Sequence, residues 1–232
     1  NVALTAYGFL IALPGALTTT LLPYYGEQYG KNQHEILIPE SMFKVSRYIA
    51  LLYTPLALGL MSTAHCTMIL FAGAQYASGD IVLAILCLFS LTVIISTAFG
   101  PLLLIYKKTL AVLAINMVSM VVSLTMFLTT LNKLGAAGMA IIKGVSVLIS
   151  FVLAFIILRK IIAIKIDKEA LWKSLISGIA MTIIVKAVEL TWPSIYMLPL
   201  YITVGGAVYL VLLKVLKAIK AGEGISVEFK SS

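Results

Sequence analysis

The sequence predicts an all-α fold: a polytopic transmembrane helix bundle of about seven spans. Three observations carry this. Hydrophobic residues make up 61% of the 232-residue chain, charged residues only 11%, and the mean hydropathy is +1.08. Soluble domains carry about 25% charged residues, so the chain has no room for a sizeable aqueous domain. Second, the apolar residues gather in seven stretches, 2–22, 45–74, 81–104, 110–131, 136–158, 171–189 and 196–216. A bilayer core about 30 Å thick needs about 20 such residues per spanning helix. Third, the basic residues alternate from connector to connector. Fourteen of the 17 Lys and Arg residues follow the first, third, fifth and seventh stretches, only Lys133 sits in the others, and Lys143 and Lys186 lie within spans. The positive-inside rule places the basic side in the cytoplasm, with the C-terminus inside and residue 1 outside. The location this implies is the cytoplasmic membrane, with one transmembrane domain over residues 1–217 and a polar cytoplasmic tail over 218–232.

The net charge of +8 fits this topology better than it fits nucleic acid, because basic residues at cytoplasmic helix ends face anionic lipid. Membrane lipids are therefore expected partners and nucleic acid is not. Cys66 and Cys87 both fall inside spans and read as small apolar residues. The chain begins with Asn1, and its first span starts at once with no basic segment before it. The first span is therefore not expected to be a signal peptide, and the chain is expected to be part of something longer.

In order along the chain, span one carries Pro14 and ends at Pro23, and Thr18, Thr19 and Thr20 are expected to re-satisfy the backbone groups that proline frees. A polar connector then runs over 24–44, with Ser41 as a candidate cap for the next helix. That helix is long, starts at the interface around Lys44, Arg47 and Tyr48, and is expected to kink at Pro55. Tight turns at 78–80, 106–108 and 132–135 make successive helices antiparallel neighbours. The connector 159–168 is longer and basic. Trp172, Trp192, Tyr196 and Tyr201 sit near expected interfaces, as aromatic belts do. No internal repeat stands out.

No phosphate loop, metal constellation or nucleophile–base arrangement marks an enzyme, and no cofactor is expected. The candidate substrate-binding residues are Lys143, Asn116, Arg47 and Lys186. Ionisable groups inside a membrane are costly and point to function. Lys143 lies about two turns into its span and shares a face with Ala136, Ala140 and Val147. Two readings stand for it: a cation facing an anionic substrate in a cavity, or a lysine snorkelling to the outer surface. Lys186, with Glu189 three residues on, reads either as a ligand or as half of a local ion pair. Arg47 reads either as a ligand at the cytoplasmic mouth or as a topology-setting charge. Thr109, Asn116, Ser119 and Ser123 form a polar stripe that either lines a wet cavity or bonds neighbouring helices. His65, beside Ser62 and Met61, reads as hydrogen-bonded within the bundle rather than as a proton relay.

Several strings in the chain are similar to those of a known family. They are LPYYGEQYGK, YTPLALGL, FAGAQYASGDIVLAILC with its G-x-x-Y turn, STAFGPLLLIYKKT, AINMVSMVVS and NKLGAAGMAI. In this order and spacing the chain resembles the polysaccharide flippases of the multidrug/oligosaccharidyl-lipid/polysaccharide exporter superfamily. The resemblance implies helices eight to fourteen, the second lobe of a two-lobe transporter fold, with an N-terminal lobe of the same protein as the missing partner. It implies a rocker-switch flippase that carries a polyprenyl-pyrophosphate-linked oligosaccharide to the outer leaflet, from a cationic cavity. It also makes the spans 171–189 and 196–216 the two helices beyond a twelve-helix core, expected at the edge. A cation-coupled multidrug exporter of the same superfamily, and a non-transporting scaffold or polymerase subunit, are the alternatives. The exporters commonly use intramembrane carboxylates, and Glu189, at the end of a span, is the sole acid expected within one.

Overall fold

The computed structural model describes residues 2–31, 34–130, 135–191, 195–216 and 218. The expectations that fell on Lys133, Trp192, Lys217 and the tail 219–232 lie outside the described residues. All the regular structure described is helical: α1 (Val2–Tyr29), α2 (His34–Ser62), α3 (Ala64–Ala72), a 3-10 turn (Ala74–Gly79), α4 (Asp80–Ser90), α5 (Val93–Ser96), α6 (Phe99–Ile105), α7 (Thr109–Thr130), α8 (Gly135–Arg159), α9 (Lys168–Thr191), a second 3-10 turn (Ile195–Met197) and α10 (Leu198–Val215). Six helices are long and apolar enough to cross a membrane, or up to seven if the bent pair formed by 74–90 and 93–105 counts as one span. The chain is a polytopic all-helical membrane protein.

Three local expectations change. First, the connector 24–44 is largely helical, because α1 runs through Pro23 to Tyr29 and α2 begins at His34. Helix packing outweighs the proline here: Tyr25, Ile38 and Met42 are buried together. Ser41 is therefore no cap, and its hydroxyl donates to Gln28 Oε1 at 2.8 Å across the hairpin. Thr18, Thr19 and Thr20 donate to the carbonyls of Pro14, Ala16 and Leu17. The carbonyls that Pro14 and Pro23 leave without a helical donor are those of Leu10 and Thr19. Second, the long helix expected to run on to residue 74 carries Pro55 within α2 and is interrupted at Thr63. Thr63 Oγ1 and Ser62 Oγ both turn back on the Gly59 carbonyl there. Third, the span expected over 81–104 is broken into α4, α5 and α6, with a bend of 42°. The bend lies at 91–92, between α4 and α5; farther on, at the break between α5 and α6, Pro101 cannot donate to the Thr97 carbonyl and its ring crowds that position. Hydroxyls fill in along the break, with Ser90, Thr92 and Thr97 donating to the carbonyls of Cys87, Phe89 and Val93.

Around α2 the helices form two groups. On one side α4 packs on α2 and on α8, α1 lies across α2, α4 and α6, and α7 packs on α8. Gly144 allows the α4–α8 approach, since a methyl there would overlap the Phe89 ring. On the other side α9 packs along α2, and α10 packs on α9. Gly178 seats α9 against Thr54 and Leu58, and Tyr209 donates to the Leu51 carbonyl at 2.9 Å. The pair α9–α10 thus sits at one edge of the bundle.

Contacts also sort the connectors into two ends. Tyr29 stacks edge-on against Tyr106, with centroids 5.1 Å apart. Burial, with smaller contributions from Tyr29 and Glu35, raises the Tyr106 phenol pKa. Arg47 bridges Asp167, just before α9, and the carbonyl of residue 218, just past α10. These contacts bring the segments that follow α1, α6, α8 and α10 to one end, and that end carries most of the basic residues. At the other end His65 meets Asp80 at 3.1 Å and Cys66 donates to Glu189 at 3.5 Å.

Candidate functional site

A cavity of about 740 Å³ lies among α1, α4, α6, α7 and α8. It falls within the 300–1,000 Å³ range of ligand-binding pockets. The helix α7 packs on α8 and α6 without substantial contact with α1, which leaves the space between them. The lining runs along α8 from Ala136 to Ala154. That is roughly 27 Å at the helical rise of 1.5 Å per residue, close to the depth of a bilayer core.

Most of the wall is apolar, contributed by residues such as Leu86, Phe99, Val112 and Phe151. The polar exceptions are few and chemically consistent. They are Lys143, Asn116 and a set of serines, Ser96, Ser119, Ser123, Ser146 and Ser150. No carboxylate lines the cavity among the described residues. Lys143 is one face of α8 with Ala136, Ala140 and Val147, and all four line the space. Its ammonium makes no hydrogen bond or ion pair among the described residues. Its close neighbour is an aromatic ring: Nζ lies 5.3 Å from the centroid of Tyr7 on α1.

The polar stripe of α7 divides. Ser119 donates to the Ser146 carbonyl at 3.2 Å, and Ser123 shares a 2.5 Å hydrogen bond with Ser146 Oγ. These hydroxyls bond α7 to α8 and line the cavity at once. Asn116 is exposed and lines the cavity, and its amide makes no hydrogen bond with another described residue. Thr109 lies at the start of α7, away from this wall.

Lys143 and Asn116 are thus brought together on one cavity, and Arg47 and Lys186 are not. Arg47 Nε lies 3.8 Å from Asp167 Oδ2, with both side chains mostly buried. Asp167 also accepts from the backbone N–H of Ala170, and its own N–H donates to Ser46 Oγ. Arg47 belongs to this clamp between α2 and the start of α9. Lys186 holds Glu189 at 2.6 Å on the outer face of α9, and the other oxygen of Glu189 accepts from Cys66. His65 Nδ1 lies 3.1 Å from Asp80 Oδ2 at the start of α4, and both side chains are partly exposed.

The residues that the sequence reading passed over are Tyr7, Ser146 and Ser150. The two serines were within reach of helical periodicity, since positions 143, 146, 147, 150 and 154 all fall on the cavity face of α8. Tyr7 was not, because no local pattern reports a partner on another helix.

No protein-family model matches the chain, and no curated protein matches it significantly.

Proposed function

We propose that the cavity binds the anionic headgroup of an amphiphile, and that the chain is the second lobe of a flippase for a polyprenyl-pyrophosphate-linked oligosaccharide. The observation that carries this reading is the Lys143 ammonium, set in the wall of a membrane-depth cavity with no carboxylate beside it among the described residues. A lysine at mid-membrane costs roughly 2.5–3.5 kcal/mol on insertion scales, and Lys143 is shallower than that. A cation maintained at a part of that cost, with no anion beside it among the described residues, suits a ligand that brings the anion. A pyrophosphate supplies it. The hydroxyl and amide groups nearby suit a sugar, and the apolar remainder suits a prenyl chain.

Transport in this reading is alternating access against a first lobe, which would close the side of the cavity between α1 and α7. The string-by-string resemblance to polysaccharide flippases supports the same assignment. The basic end of the bundle is then cytoplasmic by the positive-inside rule. An exporter coupled to cations through a carboxylate finds less support here, because Asp167 and Glu189 are engaged with Arg47 and Lys186 away from the cavity.

Glycan export in cells tests the proposal. In the assembled two-lobe transporter, Lys143→Met abolishes export at matched membrane abundance, and Lys143→Arg retains part of it. Unchanged export in Lys143→Met ends the reading.

A further inference from the structure

We infer that Tyr7 is a positioning residue, whose ring face holds the Lys143 ammonium at the cavity wall for an incoming anion. The inference rests on the reading of Lys143 as the headgroup site. Lysine has a flexible four-carbon stem and, near the end of a span, a free run to the outer surface. Something has to hold it inward. Among the described residues no carboxylate or carbonyl does so, and the Tyr7 ring is 5.3 Å from Nζ. That lies inside the roughly 6 Å range of a cation–π attraction.

Tyr7 is well suited to the task. It is 7% exposed and sits among Ala3, Ala6, Leu10, Tyr53 and Cys87 in the core shared by α1, α2 and α4. A ring so packed has little freedom, so it can fix a flexible partner. The choice of a ring over a carboxylate also matters. A carboxylate would neutralise the ammonium and compete with the ligand for it. The ring stabilises the cation through its quadrupole and leaves the whole charge available. The negative ring face also repels an anion, so the ligand has to approach the ammonium from the cavity side.

Binding to the purified, assembled two-lobe protein in nanodiscs tests this, with farnesyl pyrophosphate as the probe and farnesol as its uncharged control. Lys143→Met should weaken farnesyl pyrophosphate and leave farnesol unchanged. Failure of that result overturns the headgroup reading itself. Given that result, Tyr7→Phe should bind like the parent, because the ring remains. Trifluorophenylalanine at position 7 keeps shape and packing while weakening the quadrupole, and should lower farnesyl pyrophosphate affinity about 3-fold or more. The same fluorinated residue on the Lys143→Met background should change nothing further. Unaltered affinity on fluorination, an equal loss on the Lys143→Met background, or failure of Tyr7→Phe to bind normally each overturns the role of Tyr7 and leaves that of Lys143 standing.

Discussion

Asn116 and Ser119 sit one turn apart on α7, and both line the cavity, but their hydrogen bonds differ. Ser119 already donates to α8, whereas the amide of Asn116 is engaged with no described residue. Asn116→Ala should therefore weaken farnesyl pyrophosphate binding about 10-fold, near 1.4 kcal/mol, which is the upper part of the range for one hydrogen bond. Ser119→Ala should leave binding within about 2-fold and lower the melting temperature in detergent instead. The reverse pattern would mean that Ser119 is the ligand. At this scale Lys143 was legible in the sequence, because a charge inside an apolar run stands out. The pairing of Lys186 was also legible, since Glu189 is one turn away. That of Arg47 was not, because Asp167 lies far along the chain and only folding brings it near.

The contacts between helices turn on a few residues. Gly144 lets α8 approach the Phe89 ring of α4, and the cavity wall depends on where α8 lies. Gly144→Ala forces the ring or the helix to move, and should destabilise the bundle by about 1–3 kcal/mol. A melting temperature unchanged from the parent would show that the helices do not meet there. Asp167 both caps α9 and pairs with the mostly buried Arg47. Asp167→Ala leaves that guanidinium without its carboxylate and should destabilise by about 3 kcal/mol, read as loss of the folded fraction in an SDS titration. The helices themselves were largely legible, since a run of about 20 apolar residues has few other uses. Their ends and breaks were less so. The sequence pattern points to one helix running on to residue 74, yet α2 stops at Thr63. Conversely, the span over 81–104 reads as one helix and is three: Pro101 acts on the carbonyl of Thr97, at the break between α5 and α6, whereas the 42° bend between α4 and α5 falls at 91–92, where the sequence carries no proline. The polar stretch 24–44 reads as a connector because its residues are polar, while Tyr25, Ile38 and Met42 bury enough surface to fold it as a helical hairpin.

For the molecule as a whole, the alternation of basic residues predicts the sidedness of the bundle. In intact cells a membrane-impermeant thiol reagent should reach a cysteine placed at Gly79 and miss one placed at Lys107 or Lys165. Labelling at Lys107 from outside would invert the topology. The edge position of α9 and α10 leaves their outer faces to lipid, with Ile179, Ile183, Ile202 and Val211 all exposed. By contrast α7 is only 6% buried over its most apolar stretch, and it flanks the cavity. In the proposed flippase reading, these two surfaces are the alternative seats for a lipid-linked sugar. A polyprenyl-pyrophosphate disaccharide carrying a diazirine on its sugar separates them in native membranes. After illumination and peptide mapping, the headgroup reading predicts crosslinks on the cavity faces of α7 and α8, around Asn116 and Ser150, and their loss in Lys143→Met. Crosslinks on the outer faces of α9 and α10, or a cavity pattern indifferent to Lys143→Met, would contradict it.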